Sequence, residues 1–451
     1  MTEGTALPSG RAGALARARL RSRTSRLEGA GGDANAPRLC ILTQYFPPEI
    51  GAPQGRLSEL GEQLIDLGWR VEALTALPNY PAGRVFEGYS QTRPVVERIG
   101  RIPTVRVPLY PSQQGFARRI ACYLSFAATA SSLGPRYCTR PDLIWVESPP
   151  LFIGVAARAL AWRWRCPYVF NVSDLWPENA IEMGVIDPGA LASAAERFEL
   201  SVYRGAAGVT GQSQEIVDSI VRRSPGVQAT LITNGVDTER FGDDVSDRQE
   251  LRALLGDANG PIFVYAGLFG HPQGLDQILD LAAGLPPDVP GRFVLVGDGP
   301  VRESLERRIA AENIGRVRLT PPISRESIPA LLAGADAAVV SLGQALRGAV
   351  PSKQYEAMAA RLPILLVAQG EPARRVEEAE CGLVSAPGDG AALRINFERL
   401  ARDPELRARL GAAGRRAAET TYDRKRIAQR LDAFLRSQLA PAPVSSGSRP
   451  R

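Results

Sequence analysis

The chain is predicted to be α/β, folded as two doubly wound, Rossmann-like domains that each carry a parallel sheet. Three observations predict this. Short apolar runs ending in glycine-containing loops alternate with amphipathic helices from Arg38 onward, and the same alternation restarts at Pro261. Between the two series, Asn234 and Gly235 mark a turn and the polar stretch GDDVSDRQELRALLGDANG follows. At 451 residues and 44% hydrophobic content, the chain can bury two cores. The expected plan is a basic tail over 1–36, a first domain over 37–235, a second over 236–422, a last helix over 423–439 and a tail over 440–451.

Charge narrows the class of partner. The net charge is +6, but residues 1–37 hold six arginines against Glu3, Glu28 and Asp33, and Arg449 and Arg451 add two more positive charges. The body between is close to neutral, which argues against nucleic acid as the partner. The tails, rich in Ala, Gly, Ser, Pro and Arg, read as solvated chain, with a basic membrane-surface arm as the other reading of residues 1–36. Five scattered cysteines form neither a CxxC pair nor a Cys and His spacing, so a reduced, cytoplasmic chain without a zinc site is expected. The first 30 residues lack a signal-peptide core, and no uncharged run reaches the roughly 20 residues that span a bilayer.

The first domain opens with LCILTQYF, the loop PPEIGAPQGR, a helix from Leu57 to Leu67 closed by Gly68, and the strand RVEALT. Gly51 and Gly55 let that loop's backbone approach a phosphate or a sugar, although the loop does not match GxGxxG. LPNYPAGRVFEGY, with Tyr80, is aromatic and turn-rich, suited either to an acceptor or to ordinary loop packing. The run from Phe116 to Leu133 is apolar nearly all round yet too short to span a membrane. It is a buried core helix or an interfacial one. PDLIWVESPPL is a strand ending in a loop that carries Glu147, CPYVFNVSDLWPEN is the next, ending at Asp174, and both tips lie on the ligand-binding edge of such a sheet. Asp174 is placed either to orient or deprotonate an acceptor hydroxyl or to cap the following helix, with Glu178 beside it.

In the second domain, PIFVYAG runs into Gly267 and RFVLVGDGP into Gly297, Asp298 and Gly299; VRLT, DAAVVSL and PILLV are further strands. His271, the single histidine, is able to meet a diphosphate when protonated or simply to hydrogen-bond. The most informative stretch is GAVPSKQYEAMAARLPILLVAQGE, residues 348–371. Pro351 and Ser352 start a helix, Tyr355, Met358, Ala359 and Leu362 form its apolar face, and Ile364–Val367 is a buried strand. Lys353 and Glu356 fall on the other face. A lysine in a first turn opposes the helix dipole and is tolerated best where an outside anion joins it. The chain has two lysines among 54 basic residues, which makes this one stand out. A plain solvated pair at i,i+3 is the competing reading.

PSKQYEAMAARLP, then Gly370 and Glu371 and CGLVSAPGD, resemble the donor-site helix and loop of family 4 glycosyltransferases with the GT-B fold, above all bacterial enzymes of O-antigen, capsule and exopolysaccharide synthesis. DLWPE, NGVDTERF, YAGLFG and VGDGP resemble further motifs of that group. The resemblance implies two Rossmann-like domains facing a cleft and a last helix, Arg424 to Leu439, crossing back to the first domain. It also implies a retaining transferase that takes a UDP- or GDP-sugar and a saccharide or polyprenyl-diphosphate-linked acceptor, working at the inner face of the plasma membrane. Lys353 would stabilise the departing diphosphate, Glu356 would contact the ribose, and Gly51, Gly267, Gly297, Asp298, Ser352, Gly370 and Glu371 would line the donor. Asp174, Glu178 and Tyr80 would stand on the acceptor side, with Asp174 catalytic together with Lys353 and Glu356. The family's first glutamate would fall at Gly348, and a basic residue usual near 271 is absent. The chain lacks an Asp-x-Asp triplet, so neither metal nor cofactor is expected. A GT-B sugar-nucleotide epimerase and an inactive scaffold subunit are the alternatives.

Overall fold

The computed structural model describes residues 35–439 apart from 183, 185, 188, 243–251, 253–254, 257–259 and 345–346. Both tails and most of the polar stretch after residue 242 therefore lie outside the described residues. The chain forms two compact units. One runs to Gln212 and adds Ile216–Ile232 and the chain from Ala428; the other comprises Ser213–Glu215 and Thr233–Ile427.

The first unit carries eight strands: β1 (Arg38–Leu42), β2 (Arg70–Ala76), β3 (Val95–Ile99), β4 (Ile102–Val107), β5 (Leu143–Ser148), β6 (Tyr168–Val172), β7 (Gly208–Gly211) and β8 (Ala229–Leu231). Their order is β3-β4-β2-β1-β5-β6-β7-β8. All neighbours pair in parallel except β3 with β4. Leu39 of β1 pairs with Val71 on one side and Leu143 on the other, so the strand order reverses direction at β1. Ligands of doubly wound sheets bind at such a switch point. Buried on both faces, β1, β5 and β6 need helices on each side. The Phe116–Tyr137 helix buries Cys122, Phe126, Ala127, Ala130 and Gly134 and exposes Phe116 and Leu124. It is thus buried along one side only, and among the described residues no helix is long and apolar enough to cross a membrane.

The second unit carries β9 (Ile262–Ala266), β10 (Arg292–Val296), β11 (Val317–Thr320), β12 (Ala337–Ser341), β13 (Ile364–Val367) and β14 (Gly382–Ser385) in the order β11-β10-β9-β12-β13-β14, all parallel. Phe263, Phe293 and Phe397 pack ring to ring at 4.5–5.7 Å on one face. Tyr355, Met358 and Leu362 pack with Ile364 and Leu366 on the other.

The helix Arg424–Leu439 begins in the second unit, where the Arg424 guanidinium donates to the Gly235 carbonyl at 2.8 Å. From Ala428 it belongs to the first. There the Trp69 indole donates to Asp432 at 2.6 Å, and Leu431 and Leu435 are fully buried. Each such leucine contributes about 1.5–3 kcal/mol of burial.

Candidate functional site

In the second unit, Pro351 is extended at ψ 131° and the helix Ser352–Ala359 follows, with no acid in its first turn. No side-chain cap closes this end, where the Gln354 amide donates to the Pro351 carbonyl at 3.2 Å, and the end of the helix dipole there favours an anion. Tyr355, Ala357, Met358 and Ala359 are buried, while Lys353 and Glu356 lie partly buried on the opposite side. The Lys353 ammonium sits 5.1 Å from the centroid of the Tyr265 ring, a cation–π contact. Among the described residues no carboxylate lies within ion-pair distance of it. Burial pulls the Lys353 ammonium below the usual lysine range against the opposing effect of Glu356. Burial pushes Glu356 up, against Lys353, Arg325, Arg240 and Arg424. Desolvated charges of this kind, held by geometry rather than by a partner, gain when a ligand of opposite sign arrives.

The strand ends bring glycine to the same place. Gly267, after β9, has φ 148°, and a β-carbon there would stand 2.2 Å from Lys353 Cε. Gly297, after β10, has φ 155°, and its β-carbon would stand 1.8 Å from the Gly267 carbonyl oxygen. Only residues without a β-carbon let Lys353, Gly267 and Gly297 stack in this way. Asp298 is exposed and accepts the Gly299 amide at 2.8 Å. His271 is exposed at the start of the short turn His271–Gln273, and its carbonyl accepts the Gly274 amide at 3.2 Å.

Gly370 (φ 71°) precedes the helix Glu371–Glu378. Glu371, expected to touch sugar or ribose, is 2% exposed, and its carboxylate is taken up by neighbours. Arg375 donates to Oε1 at 2.6 and 2.9 Å, Arg374 pairs with Oε2, and the Gln214 amide donates to Oε1 at 3.2 Å. Arg375 also reaches the Tyr355 hydroxyl, tying this helix to the one that carries Lys353. At Gly348, where the resemblance would place a glutamate, the amide donates to Glu215 Oε2 at 2.7 Å. A carboxylate is thus present beside Gly348, supplied by a residue distant in sequence, which no local motif reveals.

In the first unit, the Asp174 carboxylate follows β6 and accepts from the Asn179 side chain at 2.5 Å; burial pushes it above the usual carboxyl range. Glu178 accepts from Ser219 at 3.4 Å and faces Arg223 at 3.7 Å. The Tyr80 ring meets Tyr45 edge-on at 5.5 Å. Gly51 caps the helix Ala52–Asp66, and a β-carbon there would meet the Gln54 side-chain oxygen at 2.3 Å.

Two buried carboxylates organise this edge. Glu49 accepts the amides of Phe46, Asn79 and Tyr80 at 3.1, 2.7 and 2.8 Å, pinning the loops after β1 and β2 together. Its role was not visible in the sequence, since backbone amides leave no residue signature. Glu147, expected on a loop, is instead a buried residue of β5. It pairs with Arg56 at 2.5 Å and accepts from Asn171 at 2.7 Å, partners that offset the cost of burying the charge. Among the described residues no group of three or more His, Cys, Asp or Glu side chains is placed to hold a metal ion.

The comparisons with known proteins follow the same division. A family model described as glycosyl transferase 4-like domain matches residues 51–235, and one described as glycosyl transferases group 1 matches residues 247–417. The chain is 28% identical over 327 residues to the Escherichia coli K12 protein named as colanic acid biosynthesis glycosyl transferase WcaI, covering 70% of this chain and 79% of that one. Sucrose-phosphate synthase from Thermosynechococcus elongatus superposes with a TM-score of 0.71 at 21% identity, over 89% of this chain and 98% of that one. Anabaena HepE in complex with UDP-glucose gives 0.67 at 19%, over 89% and 100%. With both halves matched by the family's two models, the chain belongs to the family 4-like, group 1 glycosyltransferases of the GT-B fold.

Proposed function

We propose that this glycosyltransferase moves a hexosyl or N-acetylhexosaminyl group, with retention of anomeric configuration, from a UDP- or GDP-sugar to a lipid-linked saccharide in cell-surface polysaccharide synthesis. The observation that carries the proposal is Lys353, an ammonium at a helix N-terminus, packed on Gly267 and Tyr265, with no carboxylate in ion-pair distance among the described residues. The bond from the anomeric carbon to the diphosphate oxygen breaks, and negative charge grows on that oxygen. Preorganised positive charge at that point is worth most where water is excluded. Lys353, the amides around Ser352 and the glycine turns at Gly267 and Gly297 supply it, while Glu356 holds the nucleotide ribose. The acceptor hydroxyl attacks the same face, and its proton passes to the departing diphosphate. Asp174, Glu178 and Tyr80 orient the acceptor, the Gly51 loop faces the donor, and no metal is required.

The name of the E. coli relative and the UDP-glucose in the HepE structure support the pathway and the donor class. The reading places the protein on the cytoplasmic side of the plasma membrane, in contact with it. The test is incubation with a panel of UDP- and GDP-sugars, with and without saccharide acceptors, followed by NMR of the product's anomeric proton. Transfer with retained configuration is expected. Conversion of the donor without acceptor would replace transfer by epimerisation, and donor binding without turnover would make the chain a scaffold.

A further inference from the structure

The helix Ile153–Trp164 carries two tryptophans with opposite fates. Trp164 is 5% exposed and packs in the core, while Trp162 is 81% exposed. Val155, Arg158 and Trp162 fall at i, i+3 and i+7, a single outward stripe along the helix, and Val155 is 43% exposed. The neighbouring helix Ala190–Gly205 continues this surface: Arg158 donates to the Ser201 hydroxyl at 3.3 Å, and Arg204 lies one turn beyond Ser201. Arg163 and Arg165 flank the indole, and Arg165 is the left-handed cap that ends the helix. Among the described residues none of these four arginines has a carboxylate within ion-pair distance. Cations in a last turn do offset the helix dipole, which accounts for Arg163 and Arg204. It accounts neither for Arg158 in mid-helix nor for an indole left in water.

We propose that this face, Val155 and Trp162 set among Arg158, Arg163, Arg165 and Arg204, docks on an anionic phospholipid bilayer. An indole settles at headgroup depth, arginines reach lipid phosphates while their stems cover apolar surface, and each cation near an anionic leaflet adds to binding. A second copy of the chain fits poorly, because a two-fold contact would set these arginines against themselves. The proposal gives the lipid-linked reading its attachment surface and rests on that reading only for its purpose.

The test uses the full chain, without donor or acceptor, in flotation with phosphatidylcholine vesicles with and without phosphatidylglycerol. Salt-sensitive binding to the anionic vesicles alone is expected, with a blue shift in tryptophan emission that is absent in Trp162→Ala. Trp162→Ala should weaken partitioning about tenfold. Arg158→Ala with Arg163→Ala should weaken it about thirtyfold. Unchanged melting temperatures and unchanged transfer to a soluble acceptor would establish that both variants are folded. Three outcomes overturn the proposal: no vesicle binding, full binding by both variants, which would move the contact to the basic N-terminal stretch, or a dimer that Trp162→Ala dissolves. Loss of vesicle binding with transfer intact leaves the transferase reading standing, and the converse leaves the surface standing.

Discussion

Gly267 lies directly against the Lys353 side chain: a β-carbon on that glycine would stand 2.2 Å from Lys353 Cε and 2.5 Å from Nζ. The two groups cannot occupy one place, so the glycine is the seat of the lysine.

Gly267→Ala should therefore displace the ammonium while leaving its charge in the chain. Turnover is expected to fall by about 10²–10³-fold, the scale of losing one preorganised electrostatic contact. At φ 148° the alanine also adds about 1–3 kcal/mol of backbone strain. Saturating-donor kinetics beside a thermal melt separate the two effects, and wild-type turnover in a folded variant would remove the packing of Lys353 from the mechanism.

Glu371 gives a prediction about acid stability. Burial raises its pKa, but Arg375, the Gln214 amide and Arg374 together outweigh burial and hold the carboxyl below the usual glutamate range. A carboxyl depressed in the folded state contributes stability above its unfolded pKa, and that contribution is lost as pH falls through the folded value. Glu371→Gln should cost about 3–5 kcal/mol at neutral pH, because Arg375 stays buried without its partner. The deficit should shrink below the unfolded pKa. Urea melts from pH 7 to pH 3.5 check this, and a deficit independent of pH would contradict it.

Asp174 separates catalysis from anchoring. As a group that orients the acceptor hydroxyl, Asp174→Asn should lower kcat by about 10²-fold. As an anchor for Asn179 alone it should lower stability by about 1 kcal/mol and leave kcat intact. Paired kinetics and melting decide between them, and the first outcome is expected.

Transfer should persist in excess chelator, since the diphosphate is met by Lys353 and backbone amides. Complete loss, restored by magnesium or manganese, would give a divalent ion that role.

Legibility followed how local the physics is. The helix at Ser352 and the strand Ile364–Val367 stood in the sequence because prolines punctuate them and apolar residues repeat at helical spacing. The β3–β4 hairpin did not, since VVERIGRIPTVRV places charges inside strands. The structure makes them tolerable by pairing buried Arg106 with Glu97 across the hairpin. Strand β14, only four residues long, lay hidden within CGLVSAPGD. Glu147 read as a loop residue because its partner, Arg56, lies 91 positions away. Of the candidate site, Lys353 was legible as an oddity of composition and position. The placement of Glu215 at Gly348 was not, since two distant segments create it.

Lys353→Ala, assayed for kcat and donor affinity in one preparation, tests the central claim most directly. A fall in kcat of about 10²–10³-fold, larger than any change in donor affinity and with an unshifted melt, is the predicted result. Wild-type kcat in that variant would contradict it.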